Sequence, residues 1–287
     1  MSPEREIRRA ALVSHSNPAD TAPGFAAARE AATAAGCELI IPATEANKHG
    51  AGAEGLKVVE RLPLDVDLCL ALGGDGTILR SLRHFSGTEV PVFGVNYGTV
   101  GFLAAAEPSA LDEGLRRAFA GEFEVVELPG LEATLPEGLR LALNDVSFTR
   151  RPHHRVPELS YRLGGSEVGN VRCDGLVAAT PVGSTGYNLA NGGPILAWGV
   201  AGYVVSFIAP HTLTSRPLVV APDDVLHVHN LGDRDPVDVA MDGVPHGRLE
   251  PGSEIEIRFR ENLGRLAQIE GQSFYRRIRE KFGHFVQ

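Results

Sequence analysis

Hydrophobic positions in the first 120 residues form short apolar runs that alternate with segments of helical pattern. The runs at 10–13, 37–42, 67–72 and 90–95 predict strands, and the segments at 26–35, 78–83 and 108–119 predict helices, the last capped by Ser109. The run at 67–72 is almost continuously apolar, as a strand buried on both faces should be. This alternation predicts an α/β domain over residues 1–120, Rossmann-like with a mostly parallel sheet. The stretch at 50–55 is expected to be a mobile loop.

The pattern changes near residue 121, where apolar and polar positions begin to alternate over short segments separated by turn residues. Strands are predicted at 124–128, 140–143, 145–149, 158–163, 175–180, 202–208, 218–220, 225–228, 237–241 and 254–260. We therefore expect residues 121–265 to form a β-rich, β-sandwich-like domain. In the last segment, 266–287, Phe274, Ile278, Phe282 and Phe285 recur at helical spacing and predict a closing helix.

Composition and charge narrow the classes of protein that fit this organisation. The net charge of -9 argues against a nucleic-acid or anionic membrane partner, and no apolar run is long enough to span a membrane. Cys37, Cys69 and Cys173 match neither a disulfide framework nor a zinc site, which favours the cytoplasm. Glycine occupies 33 of 287 positions and is concentrated in 73–101 and 164–202. Such clusters indicate backbone that bends sharply or approaches a ligand closely.

The first glycine cluster begins with Gly73-Gly74-Asp75-Gly76-Thr77, between a predicted buried strand and a predicted helix. Backbone N–H groups of such a loop can approach a phosphate without Cβ clashes, and the helix N-terminus adds positive potential. The loop is neither a Walker A motif nor GxGxxG. Asp75 would repel a passively bound phosphate, so it either holds Mg²⁺ or accepts a proton from an attacking hydroxyl. The alternative is a tight turn in which Asp75 caps the helix.

The second cluster contains a loop rich in glycine and hydroxyl residues at 174–188, followed by Gly192-Gly193-Pro194. Serine and threonine there can bind a polar ligand, and Tyr187 offers a face for stacking against a planar ring. The alternative is an ordinary surface loop. The position of the loop between two firmly apolar segments favours the ligand-binding interpretation.

Other candidate residues are individually weak. Asn144-Asp145 reads as a turn, although a carboxamide beside a carboxylate can also bind a ribose diol. Arg155 and Arg172 could neutralise ligand phosphates or could simply be solvated. His211 is more simply structural, and Asp242-Gly243 reads as a hairpin turn.

Taken in order, these motifs resemble the NAD kinase family. The GGDG element alone is shared with diacylglycerol-type lipid kinases, and the later glycine and hydroxyl loop makes the resemblance specific. The matching segments are 73–77, 144–145, 174–175, 180–187, 192–194, 210–211, 216–217 and 271–276. Asp145 departs from the pattern, because the family usually has glutamate there. A lipid or sugar kinase, and a non-catalytic NAD-binding protein, are the alternatives.

The resemblance implies Mg²⁺-dependent transfer of phosphate from ATP or polyphosphate to the 2′-hydroxyl of the adenosine ribose of NAD, which gives NADP. The Mg²⁺, or another divalent cation, would be carried with ATP near Asp75 rather than held by a dedicated protein site. The β-rich domain would bind NAD, and the closing helix would return to the first domain. A homodimer or homotetramer is expected, without nucleic acid or membrane.

The resemblance also assigns residues to roles. Asp75 would be the general base, and Gly73, Gly74, Gly76 and Thr77 would form the phosphate-donor loop. Asp75, Gly76 and Arg80 would contact substrate, and Phe102 would pack against adenine. Asn144 and Asp145 would bind ribose, Arg155 and Arg172 phosphates, and Asp174 the nicotinamide end. The adenosine would be lined by Val182, Thr185, Gly186, Tyr187, Asn188, Leu189 and Ala190. Ala209 would complete a pocket of a neighbouring subunit.

Overall fold

The computed structural model describes residues 6–271 and 274–283. Gln272, Ser273 and Phe285, which belong to segments singled out in the sequence, lie outside the described residues. The chain divides into two compact units. Unit 1 runs to Glu127 and resumes at Gly264, and unit 2 is Leu128–Leu263.

The elements are numbered in chain order. The first part contains β1 (Arg9–Ser14), α1 (Pro18–Ala34), β2 (Glu38–Pro42), α2 (Ala43–His49), β3 (Lys57–Val59), β4 (Leu68–Gly73), α3 (Asp75–His84), β5 (Val92–Asn96) and α4 (Leu111–Phe119). Next come β6 (Glu124–Leu135), β7 (Gly138–Ala142), β8 (Asp145–Arg150), β9 (Glu158–Leu163), β10 (Ser166–Arg172), β11 (Gly175–Ala179) and α5 (Tyr187–Ala190). The remainder contains β12 (Tyr203–Ile208), β13 (Leu218–Val220), β14 (Leu226–Asn230), β15 (Val237–Met241), β16 (Val244–Leu249), β17 (Glu254–Gln268) and α6 (Phe274–Phe282).

Unit 1 is built on a parallel sheet with the strand order β3-β2-β1-β4-β5, and the last residues of β17 pair with β5. Every residue of β4 is buried, which explains its continuously apolar sequence. The strand order reverses between β1 and β4. In open α/β sheets, ligands bind beyond the carboxyl ends of the strands at such a reversal. The predicted α/β domain with a mostly parallel sheet is confirmed.

The helices of unit 1 differ in detail from the prediction. α1 begins at Pro18 rather than at 26, because Asn17 accepts the N–H of Ala19 at 3.3 Å and Pro18 takes the first helical position. The predicted Ser109 cap is wrong, since Pro108–Ala110 forms a 3₁₀ turn and Ala110 caps α4 without a side-chain hydrogen bond. The stretch expected to be a mobile loop is a 3₁₀ turn at Gly50–Ala53 that follows α2.

Unit 2 consists of antiparallel strands. One sheet has the order β13-β12-β11-β8-β15-β16, and another group contains β10-β9-β14-β17 in antiparallel pairing. A shared core takes Phe148, Leu176 and Val205 from the first sheet and Leu159, Val228 and Ile257 from the second group. The β-rich prediction is confirmed. β10 and β16 were not predicted, because most of their residues are exposed and carry no apolar alternation.

The side chains of β8 alternate between the two faces of its sheet, and this alternation decides the face on which Asp145 lies. Val146 and Phe148 point into the core of unit 2, so Asp145 and Ser147 point to the opposite face of the sheet. On that face a smaller cluster forms, in which Leu196 packs on Val177 and Val204. The chain that follows β11 therefore covers the face on which Asp145 lies.

The end of the described chain is tied to a single peptide segment of unit 1. Arg277 of α6 is buried and donates to the carbonyl of Phe102 at 2.9 Å, and it also bonds to the Gln268 side chain. Gln268 in turn donates to the carbonyl of Leu103 at 3.0 Å. Burial lowers the pKa of Arg277 to about 10, so the guanidinium stays charged at neutral pH. Both carbonyls of the Phe102-Leu103 segment are thus satisfied by side chains from the end of the chain.

We predict that Arg277→Met destabilises the protein, because it leaves the Phe102 carbonyl and the Gln268 oxygen without their donor. An unsatisfied buried acceptor costs about 1–3 kcal/mol, and two are created. The free energy of unfolding in urea measures the loss. The control is Arg279→Met, which changes an exposed arginine of the same helix. Equal stability of the two variants would contradict the bracing role.

Candidate active site

Asp75 joins the glycine loop to a distant segment of unit 1. Gly74 is the N-cap of α3 and Asp75 is its first residue. One carboxylate oxygen of Asp75 accepts the N–H of Phe102 at 2.9 Å, and the other accepts the N–H of Leu103 at 2.8 Å. Asp75 therefore does not cap its own helix, and that alternative is wrong. Its negative charge lies at a helix N-terminus, where the helix dipole stabilises it.

Gly73 and Gly74 of the loop lie where the backbone is closely packed. A Cβ on Gly73 would lie 2.4 Å from the Thr77 hydroxyl oxygen, and one on Gly98 would lie 2.7 Å from the Gly74 Cα. Two backbone segments therefore approach so closely that no side chain fits between them. Gly76 is exposed, and a Cβ there would meet nothing within 4 Å. The place of Gly76 in a phosphate-donor loop stays a prediction.

Two other predicted residues of unit 1 have partners that sequence could not reveal. Arg80 is exposed and donates to the carbonyl of Ser14 at 3.2 Å, at the carboxyl end of β1. The ring of Phe102 is 5% exposed and packs against Phe274 and Phe282, with ring centroids 5.9 Å and 6.1 Å away. The contact of Phe102 with adenine stays a prediction.

In unit 2 an aspartate makes the same kind of clamp as Asp75. The carboxylate of Asp242 accepts the N–H groups of Leu143 at 3.1 Å, Asn144 at 2.7 Å and Asp145 at 3.2 Å. Asp242 and Gly243 both have positive φ, 49° and 73°, and form the predicted hairpin turn between β15 and β16. From the sequence Asp242 was expected only to form this turn, and its hydrogen bonds to the backbone of residues 143–145 were not predicted. The local signal that could have indicated the clamp is an aspartate in the hairpin turn, where a carboxylate can bind nearby backbone N–H groups.

The clamp fixes the backbone of two consecutive residues that carry buried acceptors. The Asn144 Oδ1 is buried and has no hydrogen-bond partner, and the Asp145 carboxyl is 7% exposed and receives no hydrogen bond among the described residues. Burial, and then the negative charge of Asp242, raise the pKa of Asp145 to about 7. Buried polar groups are normally satisfied, so an unsatisfied pair of this kind indicates a ligand site.

The loop after β11 is held mainly by its own side chains. The Thr180 hydroxyl donates to the Leu143 carbonyl at 2.6 Å, and the Asn188 amide donates to Ser184 and Pro194 carbonyls, both at 2.9 Å. A Cβ on Gly183 would lie 1.9 Å from the Asn144 carbonyl oxygen. Asn188 and Val182 are buried and shape the loop, whereas Thr185 and Leu189 are partly exposed and Gly186, Tyr187 and Ala190 are exposed.

Tyr187 lies near two carboxylates of the candidate site. Burial, and then the charges of Asp145 and Asp174, raise the pKa of its hydroxyl. Asp174 is ion-paired with Arg150, whose Nε is 3.0 Å from its Oδ1, and its N–H donates to the Ile208 carbonyl beside Ala209. Arg150 was not among the residues predicted from the sequence. The structure therefore brings Asn144, Asp145, Asp174 and Tyr187 into one region of unit 2.

Arg155, Arg172 and Ala209 are exposed. The Arg155 N–H donates to Asp235 at 3.3 Å, and Ala209 has a positive φ of 41°.

Among the described residues, no group of three or more His, Cys, Asp or Glu side chains could hold a metal ion, and no helix is long and apolar enough to cross a membrane.

Comparison with known proteins assigns both parts of the chain. The family model described as the ATP-NAD kinase N-terminal domain matches residues 27–123, and the one described as the ATP-NAD kinase C-terminal domain matches residues 143–265. The NAD kinase of Rhodopirellula baltica is 35% identical over 224 residues, 76% of this chain and 72% of the relative. That of Lachnoclostridium phytofermentans is 34% identical over 236 residues, 78% and 83% of the two chains.

Solved structures agree in fold. Yeast NADH kinase complexed with NADH superposes with a TM-score of 0.84 at 20% identity, over 100% of this chain and 93% of that chain. An NAD kinase from Archaeoglobus fulgidus in complex with ATP superposes with a TM-score of 0.72 at 26% identity, over 96% and 97% of the chains. Matches to both domain models, together with relatives that align over most of their length, show that this chain belongs to the NAD kinase family.

Proposed function

We propose that this chain is an NAD kinase that transfers the γ-phosphate of ATP to the 2′-hydroxyl of the adenosine ribose of NAD and releases NADP. Family membership supports the activity. The observation that carries the choice of acceptor is the Asn144 Oδ1, which is buried without a partner, next in sequence to the Asp145 carboxyl, which accepts no hydrogen bond among the described residues. A ribose diol presents two adjacent hydroxyl donors, which this pair of side chains can satisfy.

Asp75 is the proposed general base. A carboxylate has about four acceptor sites, and the N–H groups of Phe102 and Leu103 use two of them, so acceptor capacity remains for a hydroxyl proton. A ribose hydroxyl is a weak nucleophile, and removal of its proton as it attacks phosphorus makes transfer feasible. Fixing the carboxylate at both oxygens limits its motion, which favours a single productive orientation.

A divalent cation, Mg²⁺ in this proposal, would spread the charge of the transferred phosphoryl group. Asp75 is the carboxylate of the glycine loop, and the described residues offer no cluster of metal ligands. We therefore propose that the cation arrives with the phosphates of ATP. Polyphosphate is an alternative donor, since the loop would recognise phosphate rather than a base.

The remaining predicted residues complete the proposal. Tyr187 is exposed and offers its ring for stacking on adenine, next to the exposed Gly186 and the partly exposed Thr185. Asp174 would approach the nicotinamide end, and Arg155 and Arg172 are exposed cations suited to phosphates. Ala209 would complete a pocket of a neighbouring subunit in a homodimer or homotetramer. The three buried, free cysteines fit a reducing compartment such as the cytoplasm.

The direct test of the activity uses the purified chain with NAD, ATP and Mg²⁺. An NADP-specific dehydrogenase then measures NADP formed. Steady NADP production is expected. Absence of NADP with ATP and also with polyphosphate would reject the proposal.

We predict that Asp75→Asn lowers kcat by about 10²–10⁴, the usual worth of a positioned base. The amide nitrogen also replaces one acceptor of the Phe102-Leu103 clamp, so thermal stability must be measured beside kcat. NAD affinity, measured by calorimetry, should stay within about twofold, or 0.4 kcal/mol. The control is Asp112→Asn, an exposed aspartate in the first turn of α4. A kcat near that of wild type for Asp75→Asn would exclude the base role.

We predict that NAD affinity rises as pH increases from 6 to 8. Free Asp145 has a pKa of about 7, and only its ionised form accepts two ribose hydroxyls. Below that pKa the carboxyl must lose its proton on binding, which weakens NAD binding by up to about tenfold per pH unit. Calorimetry of NAD binding measures the effect. Asp145→Asn should remove most of the dependence, and an unchanged pH profile in this variant would assign it to another group.

A further inference from the structure

We propose that a cavity on the flank of α3 holds the adenosine of the ATP donor, with Arg80 and Arg61 on its phosphates. This inference rests on the proposed function and extends it to the donor. The cavity has a volume of about 430 Å³, and Val13, Leu62, Arg61, Arg80, His84 and Phe85 contribute to its lining. Sites for small ligands have volumes of about 300–1,000 Å³, so a nucleoside is within its capacity.

The cavity is connected to the glycine loop by the neighbouring strands β1 and β4. Arg80, in the cavity lining, bonds to the end of β1, and the end of β1 pairs with the end of β4, where the loop begins. Ser14, whose carbonyl accepts the Arg80 guanidinium at 3.2 Å, pairs in register with Leu72, the residue before Gly73. The cavity wall at Val13 and Pro42 belongs to the carboxyl ends of β1 and β2. It therefore opens on the edge of the sheet where ligands of open α/β folds bind.

Order along α3 matches the order of parts in ATP. Asp75 is the first residue of the helix, Arg80 comes next, and His84 and Phe85 follow at its end. At 1.5 Å and about 100° per residue, Arg80 lies about 7.5 Å beyond Asp75 and is turned about 140° from it around the axis, whereas His84 lies about 6 Å beyond Arg80 on the same face. A donor whose γ-phosphate is at the glycine loop would pass from the N-terminus of α3 onto the face that carries Arg80 and His84, with its other phosphates at Arg80 and its nucleoside near His84.

The two arginines of the lining have no ion-pair partner among the described residues, although the Glu60 carboxylate lines the same cavity. Arg80 bonds only to the Ser14 carbonyl, and neither Arg80 nor Arg61 pairs with a carboxylate in the described part of the chain. By contrast, Arg116 pairs with Glu113 and Glu122, and Arg260 with Glu132. In a chain of net charge -9, two unpaired guanidinium groups at one cavity indicate an anionic ligand.

A third cation lies close to the same carbonyl but is already neutralised. The Lys48 ammonium donates to the Ser14 carbonyl at 3.1 Å and pairs with Glu45 at 2.7 Å. Glu45 is buried and accepts from the Ser14 hydroxyl, so this cluster is internally satisfied. The structure thus separates a fixed ion pair from the two arginines that remain free to bind phosphate.

The walls of the cavity suit a nucleoside. Leu62 is partly exposed and gives apolar surface for a base, backed by the buried Phe85 and Val13, and the Glu60 carboxylate in the lining can accept ribose hydroxyls. His84 is bonded to the Leu62 carbonyl at 3.1 Å, which fixes one wall against α3. This assignment gives Arg80 to the donor rather than to NAD.

The test fills the cavity with Leu62→Trp, which adds bulk where the adenosine would lie. The matched control is Leu64→Trp, two positions along, where the leucine is 54% exposed and does not line the cavity. Binding of ATP with Mg²⁺, and separately of NAD, is measured by calorimetry on the full chain, with thermal unfolding as a folding check. We expect Leu62→Trp to weaken ATP binding by about tenfold or more, while NAD affinity and the control stay within about twofold.

A second variant tests the phosphate contact. Arg61→Ala is expected to weaken binding of ATP and of inorganic triphosphate alike, whereas Leu62→Trp should weaken ATP far more than triphosphate. Wild-type affinity for ATP in a folded Leu62→Trp protein would overturn the proposal. If ATP binds and depends on Leu62, but wild-type protein makes no NADP, the donor cavity stands and the proposed kinase activity fails.

Discussion

The carboxylate of Asp75 accepts two backbone N–H groups from residues 27 and 28 positions further along the chain. Those two residues, Phe102 and Leu103, have their carbonyls bonded to Arg277 and Gln268, so the segment is held on both sides. A charged acceptor makes stronger hydrogen bonds than a neutral one. The rest of unit 1 serves this arrangement: the buried strand β4 delivers the loop, the glycines let two backbones meet, and α6 braces the far side.

In unit 2 an aspartate carboxylate also binds backbone N–H groups, but there it lies next to buried acceptors. Asp242 accepts three consecutive backbone N–H groups and so fixes the start of β8. Burial, and then the charge of Asp242, raise the pKa of Asp145, whose carboxyl accepts no hydrogen bond among the described residues. One aspartate thus orients two acceptors and adjusts the protonation of one of them. In each unit a carboxylate fixes backbone at the proposed site, and side chains near that backbone are assigned to substrate.

Local features were predictable from the sequence and distant partners were not. The buried strand before Gly73, the loop and the following helix all depend on neighbouring residues, and the α/β and β-rich patterns were read correctly. Arg277 bonds to Phe102 across 175 positions, and Asp242 bonds to Asn144 across 98. Contacts this far apart in the chain leave no periodic pattern in the sequence, so neither could be predicted. Exposed strands such as β10 and β16 were missed because exposure removes the alternation that marks a strand. The roles of individual site residues remain predictions.

Amide hydrogen exchange at Phe102 and Leu103 tests the central claim most directly. Exchange in wild type and in Asp75→Ala would be followed by NMR, with the amide of Leu70, buried in β4, as the internal reference. The account predicts that protection of the Phe102 and Leu103 amides falls by about tenfold or more in the variant, the equivalent of one hydrogen bond to a charged group, while Leu70 is unchanged. Equal protection of both amides in the two proteins would contradict it.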